Sequence, residues 1–421
     1  MIDYSTFTLD NGLRVVHNYD PSTAMVAVNT LYNVGSRDED PDLTGLAHLF
    51  EHLMFGGSAN IPDFDEEMER AGGFNNATTS NDFTNFYDVA PAVNLDTLLW
   101  LESDRMLALA LTEKSLEVQR SVVIEEFKQT HLNRPYGDVA HRLREMLYKS
   151  HPYSWPTIGK EISHIEKATM QDVETFFYTH YGPNNAVLAI SGNVTLERAR
   201  EAVAKWYGDI PRRDIAPRLY MPEPEVTAPR RTVTMADVPN AKIIIAYPMM
   251  AHGQPGYIEA DLLTDILASG NASRFFQRVL LGNPLLTEAE ASIIGSEEPG
   301  FLMLQATLAE GMEGRVAEAE ELLTAEAYRL RHISSADHPD GITPAEVTRA
   351  INRWVSEYEF SMMSCASRAE ALAMCVMRGE DINAVADTYR RQSAATLAEA
   401  ARVILDPRKA CTLLYLPRPQ N

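Results

Sequence analysis

Two stretches far apart in the chain end in the same way. Residues 169–194, TMQDVETFFYTHYGPNNAVLAISGNV, read as a helix opened by Thr169 and Asp172 at capping-box spacing. That helix stops near Gly182-Pro183, and a strand over Ala186–Ser191 follows. Residues 396–416, TLAEAARVILDPRKACTLLYL, repeat the order: Thr396 and Glu399 give the Thr-x-x-acid spacing, Pro407 ends the helix, and an apolar strand follows. The repetition predicts an internal duplication. Between the two lies segment 211–230, PRRDIAPRLYMPEPEVTAPR, which carries five prolines and little apolar periodicity. Strands restart after it, at TVTMADVPNAKIIIAYPM (232–249). The expected fold is α+β with two homologous halves, each a mostly antiparallel sheet packed with helices. Its divisions are an N-terminal domain over 1–210, a proline-rich linker over 211–228 and a C-terminal domain over 229–421.

Within the first half, residues 5–17 read as two strands around an Asn11-Gly12 turn, and 24–34 as a further strand. A helix is expected from about Thr44 to Phe55, stopped by Gly56-Gly57. Another covers 63–71, a hairpin spans 74–90, and 92–127 is mainly helical. The charged run Arg37-Asp38-Glu39-Asp40 reads as a solvated loop, and the Met and Cys cluster at 362–377 as helix core.

Composition narrows the partners. Against 37 basic side chains stand 59 acidic ones, a net charge of −22, which argues against nucleic acid and against anionic lipid. Cys365, Cys375 and Cys411 form no CxxC pair and suggest reduced core thiols. No apolar run approaches the ~18 residues of a membrane span. The start, Met-Ile-Asp-Tyr-Ser, has neither the basic nor the apolar region of a secretory signal. A cytoplasmic location is expected, with a periplasmic one as the alternative if a signal peptide was removed.

Chemistry concentrates in residues 48–52, His-Leu-Phe-Glu-His. On a helix His48 and His52 are i and i+4 and share a face, so both imidazoles can grip one metal ion. Glu51, three residues after His48, points towards that face and can take a proton from a water. Zinc suits two neutral imidazoles plus a carboxylate and keeps a fourth position open. The surrounding residues Leu46, Ala47, Leu49, Phe50, Leu53, Met54 and Phe55 are apolar, so three polar side chains here need a partner to offset their desolvation. A third ligand is required. The segment LEVQRSVVIEEFK (116–128) reads as a helix with adjacent acids Glu125 and Glu126, which lie about 100° apart and cannot both face one metal.

With these residues in view, the chain resembles the pitrilysin/insulinase-type metallopeptidases, the inverzincins, whose zinc motif is His-x-x-Glu-His. It is most similar to their short-chain bacterial and mitochondrial-processing-peptidase type. The blocks GLAHLFEHLMFGGS, GGFNNATTSNDFTNFYDV, QRSVVIEEF, HPYSWPTIGK, YGPNNAVLAISGNV and SRFFQ (273–277) carry the resemblance over most of the chain. It implies one zinc ion per chain held by His48, His52 and Glu126, with Glu51 as general base. It further implies that Asn76, Ala77, Thr78 and Thr79 form an edge strand that holds an extended peptide substrate by main-chain pairing. The implied activity is that of a zinc-dependent endopeptidase on unfolded peptides, and the implied architecture is half of a clamshell chamber. The alternative is a catalytically silent peptide-binding or structural subunit, against which the intact set of four residues argues.

Two positions depart from the family pattern. A Glu is usual seven residues before the third ligand, where this chain has Gln119, and that bears on a contact behind the ligand. After SRFFQ, active members continue with an Arg and, seven residues later, a Tyr, both of which bind substrate; the matching positions here are Leu280 and Thr287. The expectation is therefore a heterodimer, in which a related partner subunit supplies the Arg and Tyr contacts, with a homodimer as the alternative.

Overall fold

The computed structural model describes residues 1–215, 217–218 and 223–418; Ala216 and Leu219–Pro222, within the proline-rich segment, lie outside the described residues. The strands are β1 (Ser5–Thr8), β2 (Arg14–Tyr19), β3 (Met25–Tyr32), β4 (Phe74–Thr79), β5 (Thr84–Pro91), β6 (Ala186–Gly192), β7 (Arg230–Ala236), β8 (Lys242–Pro248), β9 (Leu286–Ile294), β10 (Phe301–Leu308) and β11 (Cys411–Pro417). The first eight helices are α1 (Leu46–Leu53), α2 (Phe64–Arg70), α3 (Leu95–Leu107), α4 (Glu113–Phe127), α5 (Val139–Leu147), α6 (Ile162–Lys167), α7 (Met170–His180) and α8 (Leu196–Tyr207). Six more follow: α9 (Tyr257–Ala268), α10 (Val316–Arg329), α11 (Pro344–Ser361), α12 (Cys365–Arg378), α13 (Ile382–Arg390) and α14 (Ala394–Ile404).

Local chemistry accounts for most boundaries. Gly12, at φ +91°, makes the turn between β1 and β2, and Asn11 Nδ2 fastens it to the carbonyls of Tyr207 and Ile210 at 2.8 and 3.0 Å. Thr169 caps α7 as expected: Thr169 N donates to Asp172 Oδ2 at 2.9 Å, and Asp172 N returns a bond to Thr169 Oγ1 at 3.2 Å. The expected cap at Thr396 is corrected. Ser393, one turn earlier, accepts from Thr396 N at 3.2 Å and Thr396 Oγ1 accepts from Ser393 N at 3.0 Å, so α14 begins at Ala394 and Thr396 is its third residue.

Two sheets organise two compact units. The first sheet runs β1-β2-β6-β3-β5-β4 and the second β7-β11-β8-β10-β9. Without β1 the two orders correspond strand for strand. Each has one parallel pair, β2 with β6 and β7 with β11, and every other pairing is antiparallel. Strands of unrelated origin share order and direction only by coincidence, so the matching topology is the duplication that the two helix–proline–strand endings predict.

The first unit holds β1–β6 and takes in Tyr358–Val385; the second holds β7–β11 and takes in Thr130–Ser154. Each sheet is thereby covered on both faces. In the first unit, Val26, Val28 and Tyr32 of β3 enter the main core with α1, α3, α4, α7 and α8. Ala27 and Leu31 of the same strand pack instead under Ala369, Leu372 and Ala373 of α12. Seven of the eight residues of β3 are buried because helices lie on both of its faces. In the second unit, Leu143, Met146 and Leu147 of α5 cover Ile244, Ala246, Leu413 and Tyr415. Cys375 and Cys411 are buried in these outer layers, and all three cysteines are free thiols.

Candidate metal centre

Helix α1 begins one residue after Gly45, whose φ of +94° is a left-handed conformation that side chains resist. It is shorter than the 44–55 expected from sequence because this glycine turns the chain sharply at one end. Leu46, Ala47, Leu49, Phe50 and Leu53 bury one face, which leaves His48, Glu51 and His52 on the other.

This polar face meets α4. His48 Nε2 lies 3.6 Å and His52 Nε2 3.4 Å from Glu126 Oε2, and the two imidazole rings stand nearly perpendicular, 4.9 Å apart at their centres. One donor atom from each of the three residues lies within 4.8 Å of the others, the only such group of three among the described residues. The neighbouring Glu125 turns outward and pairs with Lys128 at 2.6 Å, as a 100° step around the helix requires. A tetrahedral zinc ion with bonds of about 2.0–2.1 Å holds its ligand atoms roughly 3.3–3.4 Å apart, so this donor set fits zinc in both spacing and chemistry.

Electrostatics favour the same role. Burial, reinforced by the adjacent His52, pushes His48 down to about 4, which keeps the ring neutral as a metal ligand must be. Burial raises Glu51 from its ordinary value, while a hydrogen bond from Thr79 opposes the rise. Thr79 Oγ1 donates to Glu51 Oε2 at 2.5 Å. Gln119, two turns before Glu126 on α4, lies close to Gly56 just past the end of α1.

Thr79 belongs to β4, which is the terminal strand of its sheet. Asn76 and Thr78 are exposed on that strand, whereas Ala77 is buried and Thr79 is half-buried towards α1. Leu280 and Thr287 lie in the second unit. Leu280 packs on that unit's core, and Thr287 Oγ1 donates to the carbonyl of Thr307 at 3.3 Å, so neither position offers a guanidinium or a phenol.

The expectation of a solvated loop at 37–40 is overturned. Arg37 and Glu39 are each only 6% exposed, because each has a buried partner. Arg37 pairs with Asp82 at 2.7 Å. Glu39 Oε2 accepts from Gly45 N at 2.9 Å and from Trp155 Nε1 at 3.0 Å, and its Oε1 accepts from Ala47 N at 2.9 Å. Burial raises its carboxyl to about 8, and the three N–H donors pull the other way. A helix opened by glycine has no capping side chain of its own, and here the acceptor for its first N–H groups comes from Glu39.

The second unit holds a sibling of α1. Helix α9 also follows a left-handed glycine, Gly256 at φ +101°. Counting from that glycine, the positions matching His48, Glu51 and His52 are Glu259, Leu262 and Leu263, and both leucines are buried in the core. The duplicated half therefore lacks the His, Glu and His of α1.

Comparison with known proteins places these features in a wider group. A family model described as Insulinase (Peptidase family M16) matches residues 14–161, and one described as Peptidase M16 inactive domain matches 167–353. The zinc protease PqqE of Helicobacter pylori is 32% identical over 276 residues, 64% of this chain and 62% of its own length. The match thus spans less than two thirds of that relative. The beta subunit of the Saccharomyces cerevisiae mitochondrial-processing peptidase is 28% identical over 261 residues, 61% of this chain and 56% of its own. Among solved structures, a protease from Helicobacter pylori superposes with a TM-score of 0.90 at 25% identity over 99% of this chain and 100% of that one. Pitrilysin superposes with a TM-score of 0.76 at 20% identity, with 100% of this chain covering 45% of that chain, a likeness of fold.

Proposed function

The chain belongs to the insulinase (M16) peptidase family, and on that premise we propose that it is itself a zinc-dependent endopeptidase acting on extended peptides. One observation carries the reading: His48, His52 and Glu126 converge through single donor atoms, with Glu51 beside them. Zinc held by these three residues supplies Lewis acidity towards a scissile carbonyl and towards water.

The remaining work falls to the chain's own side chains. Glu51 removes a proton from the attacking water and returns one to the leaving amine. Thr79 holds Glu51 Oε2, which leaves Oε1 free for the proton. The buried setting makes this carboxylate a stronger base than one in water. An extended peptide adds to the free edge of β4 along Asn76, Ala77, Thr78 and Thr79, next to Glu51. Edge pairing reads backbone, so it selects unfolded peptides over any one sequence.

With Leu280 and Thr287 in place of an Arg and a Tyr, this chain supplies the metal half of the site and a related partner subunit supplies the substrate-binding pair. Metal analysis and turnover of a quenched fluorescent peptide test the reading together. Wild-type protein is expected to carry one zinc per chain, and His52→Ala to lose it. Glu51→Gln is expected to keep zinc and lose turnover by about 10²–10⁴-fold. Absence of zinc, or equal turnover in Glu51→Gln, would favour a silent peptide-binding subunit. Full activity of the isolated chain as a monomer or homodimer would remove the need for a partner.

A further inference from the structure

Helices α1 and α9 open identically, on a left-handed glycine with no side chain to cap the first turn. Their exposed N–H groups need an acceptor all the same. In α9 the third helical residue, Glu259, supplies it from within: its Oε2 accepts from Gly256 N at 3.0 Å. In α1 the third residue is His48, whose Nε2 faces Glu126. A side chain spent on the metal cannot also cap its own helix. The acceptor in α1 comes from outside, as the buried Glu39 takes the N–H groups of Gly45 and Ala47, one on each oxygen.

The aim of His48 makes this cap consequential. Metal-bound histidines usually donate their second ring nitrogen to an acceptor that fixes the ring. His48 Nδ1 is buried and has no hydrogen-bond partner among the described residues. Packing and the position of the first helical turn are then what set the ring's direction. Glu39 holds that turn at Gly45 and Ala47, and Ala47 immediately precedes His48.

We propose that Glu39 is a positioning residue for the metal centre, a surrogate cap that frees the third position of α1 for a ligand histidine. The inference rests on the zinc reading above and extends it to a residue that touches neither metal nor substrate.

The test uses the full chain and four readouts: zinc affinity by competition with a chromophoric chelator, the visible spectrum of the cobalt(II)-loaded protein, thermal melting, and amide hydrogen exchange of the metal-free protein. Glu39→Gln keeps the shape but offers the helix a single carbonyl oxygen. It is expected to weaken zinc by about 10–100-fold, to alter the cobalt spectrum, and to speed exchange in the first turns of α1. Trp155→Phe removes the third donor and leaves both helix bonds, so zinc affinity is expected to stay within about threefold and the cobalt spectrum unchanged. A folded Glu39→Gln with wild-type zinc affinity and spectrum would overturn the proposal. So would a Trp155→Phe protein that loses zinc as severely as Glu39→Gln is expected to, and this arm stands even if Glu39→Gln does not fold. If His52→Ala binds zinc as wild type does, the zinc reading itself has failed. Exchange in α1 then still decides whether Glu39 caps the helix, since it is measured without metal.

Discussion

Thr79 passes a hydrogen bond from edge strand β4 to Glu51 on α1, Oγ1 to Oε2 at 2.5 Å. The strand proposed to align substrate is thus tied to the group proposed to move the proton. Thr79→Val keeps the shape and removes the donor, whereas Thr79→Ser keeps the donor. A bond to a charged acceptor is worth about 1.5–3 kcal/mol. Thr79→Val is therefore expected to lower kcat by roughly ten- to a hundredfold with zinc content unchanged, and Thr79→Ser to retain most activity. Equal kcat in wild type and Thr79→Val would show that the bond has no catalytic part.

Between β5 and α3 lies a buried charge cluster. Asp88, Glu102 and Arg105 are all 0% exposed, and Arg105 pairs with Glu102. The guanidinium also lies over the rings of Phe86 and Phe64, 4.3 and 4.4 Å from their centres. Burial and the neighbouring Glu102 raise Asp88 well above the usual carboxylate range. Arg105→Met leaves the Glu102 carboxylate without its cation, and breaking a buried pair costs about 3–5 kcal/mol. Urea denaturation is expected to show a loss of that size. Arg105→Lys recovers part of it, since lysine restores charge without the planar fork.

Features written in short periodicities were legible before any coordinates. The i, i+4 histidines fell on one helical face, the 74–90 hairpin formed as β4 and β5, and the 100° step between Glu125 and Glu126 separated a solvent-facing acid from one that meets both rings. What stayed hidden depends on contacts across long separations. The stripe Ala369, Leu372 and Ala373 announces an apolar helical face and says nothing of which sheet it covers, yet it lies on β3 and β6, and Arg368 of the same helix pairs with Asp20. Glu39 was hidden for a different reason: four consecutive charged residues look like solvated surface, and only the fold reveals that two of them are buried against partners.

Arg274 of the SRFFQ segment has its shortest ion pair with Glu346. Glu346 accepts from Arg274 Nε at 2.7 Å and Arg274 NH2 at 2.9 Å, and from Thr343 N at 2.9 Å. Burial alone would raise its pKa, but the bonds from Arg274 and Thr343 outweigh it and hold the group at about 2. The folded-state pKa is depressed, so the native state binds fewer protons than the unfolded chain between about 4.5 and 2. The stabilisation is fully present above that window and is lost as pH falls through it. Glu346→Gln is expected to be less stable than wild type at pH 7, with the gap closing as pH is lowered from about 4.5 to 2. Denaturation midpoints across that range check this, and a gap independent of pH would assign the stabilisation to packing.

The two left-handed glycines offer an internal control. Any side chain at φ near +100° costs about 1–2 kcal/mol, so Gly45→Ala and Gly256→Ala share that strain. Their surroundings differ. A methyl group on Gly45 would collide with Ile165 Cδ1 and lie 2.9 Å from the backbone oxygen of Ile158, which cannot move without shifting the chain. On Gly256 its nearest neighbours would be atoms of the Met250 side chain, whose flexible end can swing aside. Gly45→Ala is thus expected to cost more stability than Gly256→Ala and to weaken zinc binding as α1 is displaced. Gly256→Ala should leave zinc binding at its wild-type level, since the ligand set lies in the other unit. Thermal melting with chelator competition on both variants measures the pair, and equal zinc loss in the two would break the link between the geometry of Gly45 and the aim of His48.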